Sequence, residues 1–125
     1  MPEPLKVSEF RLKLYPKDFY KVRKFYEDHL GFPVINEWDR GDNHKGVMFN
    51  VGGTTLELLS PEDDYKPIVG ADLSLEVPNV TELWEQMKDV YTIVHPLRDN
   101  AWGDTSFRIE DPEGFRISLF TKTKK

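Results

Sequence analysis

The sequence predicts an α+β fold built from two βαβββ units. The chain repeats itself at an offset of 61 residues: Leu12 and Leu14 fall on Leu73 and Leu75, Asp18 on Asn79, Val22 on Leu83, and Gly53 on Gly114. Leu56-Glu57-Leu58 falls on Ile117-Ser118-Leu119. Both halves also present their signals in one order: an alternating strand, a cap, an apolar helical stripe, then strands ending after a glycine. A chain of 125 residues is long enough for one core and too short for two independent domains of ordinary size. The halves, about residues 8–60 and 69–121, are therefore expected to be lobes of one domain covering 1–125. Equivalent faces of such lobes would share a curved groove, and a site is expected there.

Phe10 to Tyr15 alternates and reads as a half-buried strand. Asp18 is the expected N-cap of a helix carrying Phe19, Val22, Phe25, Tyr26 and Leu30 at helical spacing, with Gly31 past its end. Pro33 to Trp38 reads as a strand, Gly41-Asp42-Asn43 as a turn, His44 to Val51 as a strand, and Gly52-Gly53 as a tight turn before the strand Thr54 to Leu59. The polar stretch Pro61 to Pro67 suits a linker. In the second half Asp72 to Val77 alternates, and Asn79 with Glu82 predicts a capping box. Val80, Leu83, Trp84, Met87 and Val90 form the apolar face of that helix. Tyr91 to Leu97 is expected as a strand and Arg98 to Gly103 as a loop exposing Trp102. Thr105 to Glu110 and Phe115 to Thr121 are strands around the Asp111-Pro112-Glu113-Gly114 turn, and Lys122 to Lys125 is expected to fray.

A net charge of −5 and a pI near 5.2 argue against nucleic acid or an anionic membrane as partner. The absence of cysteine removes disulfides, thiolate nucleophiles and Cys-based metal sites. No run approaches the ~20 apolar residues of a membrane span. Met1-Pro2-Glu3-Pro4 lacks the basic and apolar character of a signal sequence, so a cytoplasmic location is expected.

Alternation also sorts the strand residues by face. Phe10, Leu12, Leu14, Leu73, Leu75 and Val77 face the helices. Arg11, Lys13, Tyr15, Thr55, Glu57 and Leu59 share the opposite face in the first half. Asp72, Ser74, Glu76, Ser106, Arg108, Glu110, Arg116, Ser118 and Phe120 do so in the second. That face holds the cations Arg11, Lys13, Arg108 and Arg116 and the anions Glu57, Asp72, Glu76 and Glu110. One reading is a solvated outer face laced by cross-strand ion pairs. The other, favoured for Arg11, Glu57, Asp72 and Arg116, is a semi-buried functional network. Trp38, Phe49 and Trp102 are candidates for an aromatic pocket wall, with Phe49 equally suited to the core. His29, His44 and His95 read as surface residues.

Phe25-Tyr26 before Leu30-Gly31-Phe32, and Trp102-Gly103 before Asp111-Pro112-Glu113-Gly114, within two βαβββ units, resemble the vicinal oxygen chelate superfamily of glyoxalases, extradiol dioxygenases and bleomycin resistance proteins. The resemblance implies that metal-using members take a ligand from the first and last strand of each unit, typically His or Gln and Glu. The matching positions are Arg11, Glu57, Asp72 and Ser118. Glu57 fits. Asp72 is an unusual ligand there, Ser118 a poor one, and Arg11 has no lone pair to give. No cofactor is therefore expected, and at most a weak divalent site. The pattern is closest to the metal-free drug-binding branch, with a small-molecule ligand and a homodimer expected. Arg11 is expected to lie between Glu57 and Asp72 in place of a metal, and Trp102 to cover Arg108. The ligand-binding set is then Arg11, Tyr15, Trp38, Glu57, Asp72, Trp102, Arg108, Arg116 and Ser118. The alternatives are a metal-dependent lyase or dioxygenase, and a structural or interaction protein whose groove is closed by its own ion pairs.

Overall fold

A computed structural model describes residues 3–41 and 43–123. Asp42 of the expected turn, and Lys124 and Lys125 of the tail, lie outside the described residues. The chain divides into two compact units, Met1–Tyr65 and Lys66–Lys125. The boundary falls inside the expected linker. Each unit is a four-stranded mixed sheet with a short helix, the α+β arrangement predicted from the repeat.

The first unit runs β1 (Arg11–Leu14), α1 (Phe19–Lys24), β2 (Val34–Asp39), β3 (Lys45–Val51) and β4 (Thr54–Leu59). Its strand order is β1-β4-β3-β2, with β1 parallel to β4 and the other pairs antiparallel. Asp18 caps α1 as expected, its carboxylate accepting the Lys21 N–H at 3.2 Å. After Lys24 the helix widens into a π turn, Phe25–His29, in which Leu30 N–H reaches Phe25 C=O at 3.0 Å. The extra residue in that turn lets two consecutive aromatics, Phe25 and Tyr26, both enter the core, 6% and 0% exposed. Gly31, at φ 72°, ends the turn. The core is Val22, Tyr26, Val47, Phe49, Leu56 and Leu58. Phe49 thus belongs to the core and not to a pocket wall. Phe10 departs from its expected place: β1 begins one residue later, and Phe10 is 70% exposed.

The second unit runs β5 (Asp72–Glu76), α2 (Val80–Met87), β6 (Ile93–Asn100), β7 (Asp104–Glu110) and β8 (Arg116–Lys122), in the order β5-β8-β7-β6. Val80, Phe107, Ile109, Ile117 and Leu119 form the core. Trp84 meets Phe107 edge to face at 5.3 Å between ring centroids. Helix α2 stops at Met87, so Val90 falls outside its apolar face and is exposed. The capping box does not form. Asn79 donates to the Glu82 carboxylate at 3.0 Å instead of capping the backbone. The Val80 N–H is satisfied by Thr121 Oγ1 on β8 at 3.0 Å, and the same hydroxyl donates to Val77 C=O at 2.6 Å. A strand residue 41 positions away thus caps the helix, and no local pattern could show it. Thr121→Val should lower stability by about 1–2 kcal/mol, as cap and buried hydrogen-bond losses do. An unchanged urea midpoint would refute the cap.

Strand β6 is longer than expected. It pairs with β7 as far as Asn100 opposite Asp104, so the expected loop shrinks to the turn Ala101–Gly103. Thr105 Oγ1 donates to the Asp99 carboxylate at 2.5 Å and extends the ladder. Pro96 is tolerated because β6 is an edge strand with register shifts on both sides of His95. Lys122 and Thr123 are paired and not frayed: Lys122 ends β8 opposite Asp104, and Thr123 N–H reaches Gly103 C=O at 2.9 Å.

Candidate functional site

In the first unit the polar face centres on Glu57. Strand register places Lys13, Glu57, Met48 and Asn36 in one row across the sheet. Glu57 is only 5% exposed, uncommon for a carboxylate. Arg11 Nη1 stands 3.4 Å from Glu57 Oε1, so the expected pair exists, but as a long contact. The chief partner of Arg11 is Glu9, with Nε to Oε1 at 2.6 Å and Nη2 to Oε2 at 3.3 Å. This fork hydrogen bond holds the Glu9 carboxyl below the usual range and raises the Arg11 guanidinium above its own. Glu9 precedes the strand, where alternation says nothing about its direction.

Because the Glu9 pKa is depressed in the folded protein, its contribution to stability is present above the ordinary glutamate range. That contribution is lost as pH falls through the lowered value. In Arg11→Met the Glu9 carboxyl should titrate at higher pH, read by carboxyl carbon shifts. An unmoved titration would show that the fork does not persist in solution.

Tyr15 follows β1, and Lys13 Nζ stands 5.8 Å from the centre of its ring. Trp38 lies across β3 against Gly46. A Cβ on that glycine would fall 2.1 Å from the indole, so any side chain there would displace the Trp38 ring. Trp38, Gly46 and Leu59 form the row two residues along the strands from that of Glu57, so Trp38 shares its face.

In the second unit two rows matter. One is Asp72, Arg116 and Glu110; the other is Ser74, Ser118, Arg108 and His95. Arg108 Nε donates to Ser118 Oγ at 3.0 Å, Ser118 Oγ donates to Asp72 Oδ2 at 3.3 Å, and Arg108 Nη2 stands 3.2 Å from the same Oδ2. Asp72 therefore has a guanidinium partner within its own unit. His95, read as a surface residue, faces Arg108 in register because the shifts in β6 alter its alternation. Arg116 is exposed, and its side chain makes no ion pair or hydrogen bond among the described residues. Asp72, Arg108 and Arg116, with Glu110 and Glu113, line a cleft of about 710 Å³ whose other wall is the apolar segment 67–71.

Trp102 is 72% exposed in the β6–β7 turn. Its indole N–H donates to Asp104 Oδ2 at 3.0 Å. Asp104 Oδ1 accepts from Asn100, which also donates to Ser106. This network fixes the indole at the hairpin end of the sheet. Asp104 lies four residues along β7 from Arg108, roughly 13 Å at the rise of a strand. Trp102 does not line the 710 Å³ cleft.

Residues 10–119 match the family described as the Glyoxalase/Bleomycin resistance protein/Dioxygenase superfamily. The chain belongs to this superfamily. Solved structures with the same fold include a superfamily member from Sphaerobacter thermophilus, with 19% identity, a TM-score of 0.74, and 94% of this chain and 98% of that one covered. A genomically encoded fosfomycin resistance protein from Listeria monocytogenes has 18% identity and a TM-score of 0.70, covering 97% and 96%. A protein of unknown function from Agrobacterium tumefaciens has 20% identity and a TM-score of 0.73, covering 96% of each chain. At such identities the likeness concerns the fold alone. No curated protein matches by sequence. No described helix is long and apolar enough to cross a membrane.

For this superfamily member the four ligand-equivalent positions do not suit a first-row divalent ion. Arg11 is a permanent cation, and Ser118 is a neutral hydroxyl already donating to Asp72. Among the described residues no three His, Asp or Glu side chains converge as a metal site would need.

Proposed function

We propose that this superfamily member binds a small molecule without a divalent metal. The observation that carries the reading is how the ligand-equivalent positions are used. Arg11 holds Glu9 and touches Glu57, while Asp72 is held by Arg108 and Ser118. Charge that an ion would neutralise is neutralised by guanidinium groups, which keep further N–H donors for an anionic or carbonyl-bearing ligand. Protein purified without chelator should contain far less than one equivalent of Zn, Ni, Mn or Fe by elemental analysis. Small organic anions should raise its melting temperature equally with and without chelator. About one metal equivalent per chain would overturn the reading and favour a metal-dependent lyase or dioxygenase. A second reading, a polar face closed by its own ion pairs, draws on the Asp72–Arg108–Ser118 triangle. It would move ahead if no small molecule shifted the melting temperature. The homodimer expected of the chain is supported by Leu5, Val7 and Phe10, each at least 70% exposed.

A further inference from the structure

We propose that the cleft of the second unit selects a small zwitterion: a molecule with an ammonium and a carboxylate or phosphonate on a short apolar body. This rests on the small-molecule reading above and adds the charge class and the residues that choose it.

The charges lining the cleft are not equally available. Asp72 and Arg108 satisfy each other at 3.2 Å, with Ser118 bridging them. What remains is Arg116, exposed and with no side-chain partner among the described residues, and the carboxylate of Glu110. Glu110 lies directly opposite Arg116 in the β7–β8 register. Opposed side chains in such a pair have Cβ atoms about 5 Å apart, close enough for an ion pair. Yet Arg116 and Glu110 form none. Glu110 leans towards the turn, its Oε2 3.2 Å from where a Cβ on Gly114 would stand.

An opposed but open cation and anion receive a ligand that presents the inverse pair. An anionic group takes the fork of Arg116, and an ammonium takes Glu110. A ligand with only one charge leaves the other protein group covered and unpaired, and that cost provides the selection. The opposite wall supplies an apolar surface, with Ile68 41% and Val69 88% exposed. The 710 Å³ volume is in the ordinary range for ligand sites, about 300–1,000 Å³.

The test titrates the full chain with L-leucine, with 4-methylpentanoate, which lacks the ammonium, and with 3-methylbutylamine, which lacks the carboxylate. Amide signals of Val69, Gly114 and Arg116 report binding. Leucine should move them with a Kd of roughly 1 mM or tighter, and each singly charged analogue should bind at least tenfold more weakly. Arg116→Gln and Glu110→Gln should each weaken leucine tenfold, with unchanged melting temperatures. Glu110→Gln should also bring 4-methylpentanoate level with leucine. If 4-methylpentanoate binds the unmodified protein as tightly as leucine, the zwitterion proposal fails while the small-molecule reading stands. If none of the three moves these signals, the zwitterion proposal likewise fails, and the wider reading is then judged by its own melting screen.

Discussion

Replacing Asp111 with alanine is expected to lower the unfolding free energy by about 2–4 kcal/mol, the range for buried backbone donors that lose a charged acceptor. Asp111 is 6% exposed at the start of the β7–β8 turn. Its Oδ1 accepts the Glu113 N–H at 2.8 Å and the Phe115 N–H at 3.0 Å. Backbone bonds between Asp111 and both Gly114 and Phe115 close the same turn, and Gly114 sits at φ 85°. Alanine would leave two N–H groups without their acceptor, one of them at a buried position. Asp111→Asn keeps an acceptor oxygen and should lose less than half as much. Urea unfolding of the three proteins checks this. Equal loss from Asn and Ala would show that the charge, and not the turn geometry, matters. The turn also aims Glu110, Glu113 and Arg116 into the cleft, so Asp111→Ala should broaden the Arg116 amide signal even where the protein stays folded.

Arg108→Met is the second large effect. It removes the guanidinium from Asp72 and Ser118 while keeping most of the side-chain volume. The side chains of Arg108 and Asp72 are 29% and 34% exposed, so water screens part of the loss. The expected cost is about 1–2 kcal/mol, below the 3–5 kcal/mol for breaking a fully buried pair. Much of it is the orphaned Asp72 charge, so Arg108→Met/Asp72→Asn should be more stable than Arg108→Met alone. A double-mutant cycle should give a coupling of about 1 kcal/mol. Additive losses would mean that the triangle contributes no coupling.

The strands, both helices and the unit boundary could be read from the chain because each depends on local signals. Alternation in Arg11–Leu14, the Asp18 cap and the glycines at 31 and 114 act through neighbours within a few residues. The 61-residue offset then implies one topology twice, and both sheets have the equivalent strand order. The local reading fails where a distant group supplies the energy. Asn79 has the sequence of a capping box, yet Thr121 takes the helix N–H once β8 lies beside it. Arg98 to Asn100 carries turn-forming residues, yet pairing with β7 holds it in a strand.

The candidate site divides along the same line. Periodicity alone placed Arg11, Glu57, Asp72, Arg108, Arg116 and Ser118 on the polar faces of their sheets, because a side chain's face follows from counting residues in twos. The resemblance to the superfamily added which of these positions would hold a metal, and the chemistry of Arg11 and Ser118 implied that such a set is broken. Which charge holds which is a matter of ångströms between strands, and counting carries no distances. Only the assembled sheets decided that Arg11 turns chiefly to Glu9, that Asp72 pairs with Arg108 and that Arg116 has no side-chain partner among the described residues.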